Sequence, residues 1–123
     1  MDASRLRRIG QAITAASAMI IAYATLAPGV SAGDVDTRIL HFLMFIPLGL
    51  GGALWMATLE PAAQKRARLA ILGLVLVFAA ATEIGQGAVG RNPSVSDFIA
   101  NAAGGGLGVL VGGLIASRGR RAS

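Results

Sequence analysis

Four long apolar runs, separated by short polar stretches, divide the chain of 123 residues. They cover residues 9–27, 39–58, 69–87 and 97–116. A helix of about 20 residues, rising 1.5 Å per residue, spans the roughly 30 Å hydrocarbon core of a bilayer. The pattern therefore predicts an all-α membrane protein in which a single domain forms a bundle of four transmembrane helices.

The composition supports a membrane protein. Hydrophobic residues make up 54% of the chain and charged residues 14%, whereas about a quarter of a soluble domain is charged. There is no cysteine, so neither a disulfide nor a thiolate ligand is available. The net charge of +5 comes from basic clusters at the ends of apolar runs. That placement favours membrane anchoring, and no nucleic-acid partner is expected.

The basic clusters also predict the orientation of the helices. They precede the first run, join the second to the third, and follow the fourth, whereas Arg38 and Arg91 lie in the other two loops. By the positive-inside rule, both termini are cytoplasmic and the loops at 28–38 and 88–97 face outward.

The first run also resembles a signal peptide, with Val30-Ser31-Ala32 as a small-residue cleavage site. The apolar part of a signal peptide usually has about 7 to 15 residues, fewer than this run contains. We therefore expect a retained helix, with cleavage as the alternative.

Polar side chains collect at the outward ends of the predicted spans. Glu83 and Gln86 share one helix face, and Asp97 and Asn101 share another. A carboxylate inside a span is costly and marks a functional site by default, and Arg91 is the expected bidentate partner of Glu83. The complete candidate polar site is His41, Glu83, Gln86, Arg91, Asp97 and Asn101.

Each of these features also has a structural interpretation. Gly104, Gly108 and Gly112 continue the face of Asn101, and such small-residue stripes serve helix packing, within the protein or between the subunits of a homo-oligomer. Asp97 is a candidate N-cap of the fourth helix, as are the two preceding serines. A cluster that only ties helix ends together therefore remains an alternative to a functional site.

The order and spacing of these residues resemble the VanZ-like family, small multi-span bacterial membrane proteins named after a teicoplanin-resistance protein. The resemblance covers roughly residues 23–113. It rests on His41-Phe42, Glu83-x-x-Gln86 and Arg91-x-x-Ser94-x-x-Asp97-x-x-x-Asn101-x-x-Gly104-x-x-x-Gly108. The family typically has an Asp-Lys pair shortly before the histidine, whereas this chain has Thr37-Arg38 there and its acid at Asp36.

The resemblance implies a multi-pass protein of the bacterial cytoplasmic membrane, within the cell envelope, linked to reduced teicoplanin susceptibility. It implies membrane lipid as a partner but no established reaction. The first functional hypothesis is that the polar site binds a lipid head group or a lipid-linked cell-wall precursor.

Two other functions stay open. In a membrane-embedded enzyme, His41 or Glu83 would be the general acid or base and Arg91 would stabilise negative charge. A small multidrug-type transporter is less favoured, because those exporters carry their glutamate in the first span and have a weak charge bias. No spacing in the sequence indicates a metal, and no cofactor is expected.

Overall fold

The computed structural model describes residues 1–27, 33 and 35–122. Within these residues the chain forms four helices, and none of them lies in a strand. The helices are α1 (Ala3–Leu26), α2 (Thr37–Trp55), α3 (Pro61–Ala88) and α4 (Val95–Arg121). All four are long and apolar enough to cross a membrane, so the predicted all-α fold with four membrane helices is confirmed. The small-residue cleavage motif at 30–32 lies outside the described residues.

Capping groups help to set where the helices begin. Most of the helices are longer than the apolar runs that predicted them. α1 begins at Ala3, before the run that starts at residue 9, because the Asp2 carboxylate accepts the backbone N–H of Arg5 at 2.8 Å. α3 begins at Pro61, a residue suited to the first helical position because it has no N–H to satisfy. α2 continues through Pro47 and ends at Trp55.

Helices α2 and α4 pack most closely, and glycines make this approach possible. A Cβ atom on Gly104 would collide with the carbonyl oxygen of Phe42, and one on Gly108 with that of Ile46. A Cβ on Gly112 would lie 2.7 Å from the carbonyl oxygen of Leu50. The glycine stripe of α4 therefore contacts the backbone of α2 within a single chain.

Every helix contributes to the apolar core. Ile21 of α1, Phe45 of α2, Val75 of α3 and Val109 of α4 belong to one buried cluster. Phe45, which is fully buried, also contacts the ring of Phe78, with ring centroids 6.0 Å apart. This core fixes the four helices against one another.

The outer surface of the helices is also apolar. Leu74, Ile84 and Leu110 are among many large apolar side chains that are more than half exposed. Such a surface would be unfavourable in water and matches the hydrocarbon of a bilayer.

The helices alternate in direction, so their ends form two polar layers. One layer contains the C-terminal ends of α1 and α3 and the N-terminal ends of α2 and α4, and we call it the site end. At the opposite end, the buried Gln64 donates to the carbonyl oxygens of Ala57 and Leu59. Arg120 of α4 donates to the Gln64 side chain at 2.8 Å. The opposite end is therefore closed by hydrogen bonds between the helices.

Candidate functional site

A cavity of about 300 Å³ lies at the site end, between all four helices and the loop that joins α3 to α4. Four of the six residues predicted from the sequence line it: His41, Gln86, Arg91 and Asp97. Glu83 and Asn101 lie next to it, in contact with the His41 ring. The topology thus brings together side chains that are far apart in the sequence, as the predicted arrangement of the spans requires.

The His41 imidazole is at the centre of the polar cluster. Its Nδ1 lies 2.9 Å from Oδ1 of Asn101, a residue with no exposed surface. An amide oxygen accepts from Nδ1 in the tautomer that carries its hydrogen there, and Nε2 then holds the lone pair. Nδ1 also lies 3.8 Å from Oε1 of Glu83, and Nε2 lies 3.9 Å from Oδ2 of Asp97. Asn101 thus holds the ring directly, while the two carboxylates lie beyond hydrogen-bond distance.

Glu83 connects the end of α3 to the start of α4. Its Oε2 accepts the backbone N–H of Ser94 at 3.0 Å. The Ser94 hydroxyl accepts the backbone N–H of Asp97 at 3.4 Å, which makes Ser94 the N-cap of α4. In a capping box the third helical residue would accept the N–H of the cap, but here Glu83 of another helix does so. The other oxygen, Oε1, is buried without a hydrogen-bond partner.

Arg91 is positioned by the turn that ends α3. Gly90 has a φ of +83°, which favours glycine. The N–H of Arg91 bonds to the carbonyl oxygen of Gln86 at 2.9 Å and that of Gly90 to Gly87 at 3.3 Å, the two hydrogen bonds of a Schellman motif. This turn directs the Arg91 side chain away from α3.

The guanidinium of Arg91 reaches α1. It donates to the carbonyl oxygens of Ala24 at 2.7 Å and Ala27 at 2.9 Å. Carbonyls at a helix C-terminus lack partners within the helix and carry partial negative charge, so a cation stabilises them. No ion pair joins Arg91 to Glu83 among the described residues. The expected bidentate pair is therefore wrong, and Arg91 ties the α3–α4 loop to α1.

The remaining acid of the cluster, Asp97, is nearly buried in the first turn of α4. Its Oδ1 lies 3.4 Å from the hydroxyl of Thr37, at the start of α2. Asp97 and Asn101 share a helix face, and both side chains contact α2. The side chain of Gln86 lines the cavity from α3.

Three contributions to the site were not predicted from the sequence. Thr25 and the last carbonyls of α1 belong to it, and the threonine near the end of an apolar run was the available signal. Thr37 was noted as a departure from the family pattern but was not predicted to face Asp97. The main-chain N–H of Ser94 could not be predicted as a contact, because such a group is not specific to any residue type.

The neighbouring acid Asp36 does not line this cavity. Its carboxylate forms an exposed ion pair with Arg38 at 2.9 Å and accepts the backbone N–H of the same residue. The side-chain hydrogen bond from Arg38, followed by the backbone one, lowers the pKa of Asp36. Asp36 is thus the N-cap of α2, and its position beside the site brings it no contact with the cluster.

The cluster also has the donor set of a metal site. One ligand atom each from His41, Glu83 and Asp97 lies within 4.8 Å of the other two. The three side chains are only 12%, 10% and 11% exposed. Buried carboxylates beside a histidine are suited to binding a cation or to proton transfer.

A family model described as VanZ/LLP1 matches residues 5–116. This match includes all six predicted site residues and extends the resemblance seen in the sequence to nearly all of α1. No curated protein matches the chain. No solved structure matches it either.

Proposed function

The chain belongs to the VanZ/LLP1 family, and from that premise we propose that its cavity binds a lipid head group or a lipid-linked cell-wall precursor. In this proposal it is a protein of the bacterial cell envelope, inserted in the cytoplasmic membrane with both termini inside and the site end outward. The observation that carries the proposal is a cavity lined by charged and polar side chains at the site end of a bundle whose outer surface is apolar.

The lining of the cavity suits a head group that carries both anionic and hydrogen-bonding groups. The guanidinium of Arg91 supplies positive charge, and Asp97 supplies negative charge across the same space. Gln86 and Thr37 add neutral polar groups. A phosphate with an attached amine or sugar would meet complementary groups there, while its acyl or prenyl chain stays in the bilayer.

The orientation supports the same substrate class. The basic residues lie overwhelmingly at the end of the bundle opposite to the cavity, and by the positive-inside rule this pattern favours a cytoplasmic position for that end. A site in the outer half of the membrane would meet the lipids and precursors that are exposed to the cell wall. The teicoplanin phenotype implied by the family resemblance would then follow from occupancy or removal of such a precursor.

Lipid retention by the purified protein tests the proposal. Native mass spectrometry would compare wild type, Thr37→Val and Asp97→Asn after incubation with a phospholipid mixture or a polyprenyl-diphosphate-linked precursor. Losing a hydrogen bond to a charged group costs about 1.5 to 3 kcal/mol, so each cavity variant should bind at least about tenfold more weakly. Thr82→Val is the matched control, because the Thr82 hydroxyl bonds within its own helix to Ala79.

Equal lipid retention in wild type and both cavity variants would contradict binding in this cavity. A parallel test in cells measures teicoplanin susceptibility on expression of the same variants, with membrane accumulation checked for each. Wild type and Thr82→Val should protect, whereas Asp97→Asn should not.

The alternative of a membrane-embedded enzyme rests on one observation, the position of His41 beside two carboxylates. Such a histidine can serve as general acid or base. Turnover of a lipid-linked precursor by purified wild type, abolished in His41→Gln, would favour the enzyme over the binding protein.

A further inference from the structure

We propose that His41, Glu83 and Asp97 bind one divalent transition-metal ion, such as Mn²⁺ or Zn²⁺, beside the cavity at the site end. A single imidazole and two carboxylates form a mixed nitrogen and oxygen donor set, which suits these ions. The proposal is independent of lipid binding, since the cation would be held by the protein whether or not a lipid enters.

The spacing of the donor atoms fits one ion. Atoms bound at about 2.0 to 2.2 Å from the same ion lie about 3 to 4.4 Å apart, depending on the angle between them. Glu83 Oε1 lies 3.8 Å from Nδ1 of His41 and Asp97 Oδ2 lies 3.9 Å from Nε2, and one ligand atom of each of the three residues lies within 4.8 Å of the other two. Side-chain rotations that turn the Glu83 carboxylate toward Nε2 would bring the three donors to a common centre.

The same distances disfavour a purely structural ion-pair network. A protonated histidine paired with a carboxylate forms a charge-assisted hydrogen bond of about 2.7 to 2.9 Å. Neither carboxylate is that close to His41, although all three side chains are nearly buried. The two acids therefore lie near the ring without a hydrogen bond to it, which leaves their oxygens available to a cation.

An unpartnered oxygen points to the same place. Oε1 of Glu83 is buried and accepts no hydrogen bond, and it is the oxygen that faces His41. Leaving a buried charged group without a partner is among the costlier features of a folded protein. A cation held by Nε2 of His41 and by Asp97 would satisfy this oxygen once the Glu83 carboxylate turns toward that nitrogen.

Each proposed ligand is also held from behind by a second residue. Asn101 contacts Nδ1 of His41, Ser94 donates its N–H to Glu83 Oε2, and Thr37 lies against Asp97 Oδ1. Metal sites typically have this outer layer, because a histidine that donates one ring N–H presents its other nitrogen in a fixed direction. Nε2 of His41 is the nitrogen that faces Asp97.

The cavity gives the ion access and open coordination positions. His41 and Asp97 line it, so a cation can enter there, and three protein ligands leave room for further ones. Sites with three protein ligands and an open position bind water or a ligand directly.

Metal binding by purified protein tests the proposal. The protein in detergent micelles would be stripped with a chelator and titrated with Mn²⁺ and with Zn²⁺, with bound metal counted by mass spectrometry. Wild type should bind one ion per chain, and His41→Gln, Glu83→Gln and Asp97→Asn should each bind at least about 100-fold more weakly. Asp36→Asn is the matched control, because this carboxylate lies at the same end but is exposed and paired with Arg38.

Three outcomes would overturn the proposal. The first is that folded wild-type protein binds neither ion at one per chain. The second is that the three ligand variants bind as tightly as wild type, which would show surface binding only. The third is that pulsed electron paramagnetic resonance on Mn²⁺-loaded wild type detects no coupling to a histidine ¹⁴N nucleus. This measurement uses wild type alone, so it does not depend on whether the variants fold.

Discussion

Replacing Gly108 by alanine tests the close contact between α2 and α4. The added methyl group would meet the carbonyl oxygen of Ile46 and would lie 2.7 Å from the backbone nitrogen of Leu50. Both atoms belong to the backbone of α2, so no flexible side chain can move aside. The two helices must therefore separate locally to accommodate the methyl group.

The magnitude follows from two opposing effects. Alanine is the better helix former by about 1 kcal/mol, whereas overpacking a close contact costs about 1 to 3 kcal/mol. The backbone contact places Gly108 near the upper figure, and we expect a net loss of about 2 kcal/mol. At Gly106, in the same helix, an added Cβ would meet only a Leu72 methyl group at 3.9 Å, which is ordinary contact. Gly106→Ala should be neutral or stabilising by up to about 1 kcal/mol.

Unfolding in mixed detergent micelles, followed by circular dichroism during titration with sodium dodecyl sulfate, measures the difference between the two variants. We expect Gly108→Ala to be less stable than Gly106→Ala by about 2 to 3 kcal/mol, a factor of about 30 to 140 in the unfolding constant. Equal stabilities would refute the contact of this glycine face with α2. Gly108→Ala should also weaken cation binding, because it displaces α4 from His41.

Three further variants test single contacts. Arg91→Met should speed hydrogen exchange in the last turn of α1, since two charge-assisted bonds to its carbonyl oxygens are lost. Ser94→Ala should cost about 1 kcal/mol in the unfolding assay by removing the cap of α4. The lowered pKa of Asp36 means that its stabilisation is present above about pH 4 and is lost as the pH falls through the folded-state value. Asp36→Asn should therefore flatten the dependence of the melting temperature on acid pH. Each prediction fails if the variant behaves as wild type in its assay.

The fold could be predicted because a bilayer restricts the choice of structure. A long apolar run can only be a helix or a barrel strand there, and the four runs are too long for strands. The ends of the helices were less predictable. Asp2 and Ser94 begin their helices by side-chain capping, so α1 and α4 extend beyond the apolar residues. Hydrophobicity indicates which part of each helix lies inside the membrane, whereas hydrogen bonding at the caps determines where the helix begins.

The proximity of the polar residues to one another was also predictable, while their individual contacts were not. His41, Glu83 and Asp97 converge because each lies near the same end of a span, which the topology alone requires. The partner of Arg91 depends on the positive φ of Gly90, and that local turn sends the side chain to α1. From the sequence, a carboxylate was the expected partner of the positively charged Arg91. The carbonyl oxygens at the end of α1 could not be identified as partners, because every residue carries such an oxygen.

The glycine stripe and the polar cluster are two parts of one helix face, and this links packing to function. Asp97 and Asn101 begin the face that Gly104 and Gly108 continue, so all four are directed at α2. The 2.9 Å contact between Asn101 and His41 lies about one turn from Gly104, where the backbones of α2 and α4 are too close to admit a Cβ atom. The packing of this face is therefore compatible with the proposed site. Helix packing sets the distance at which the donor groups of α2 and α4 meet.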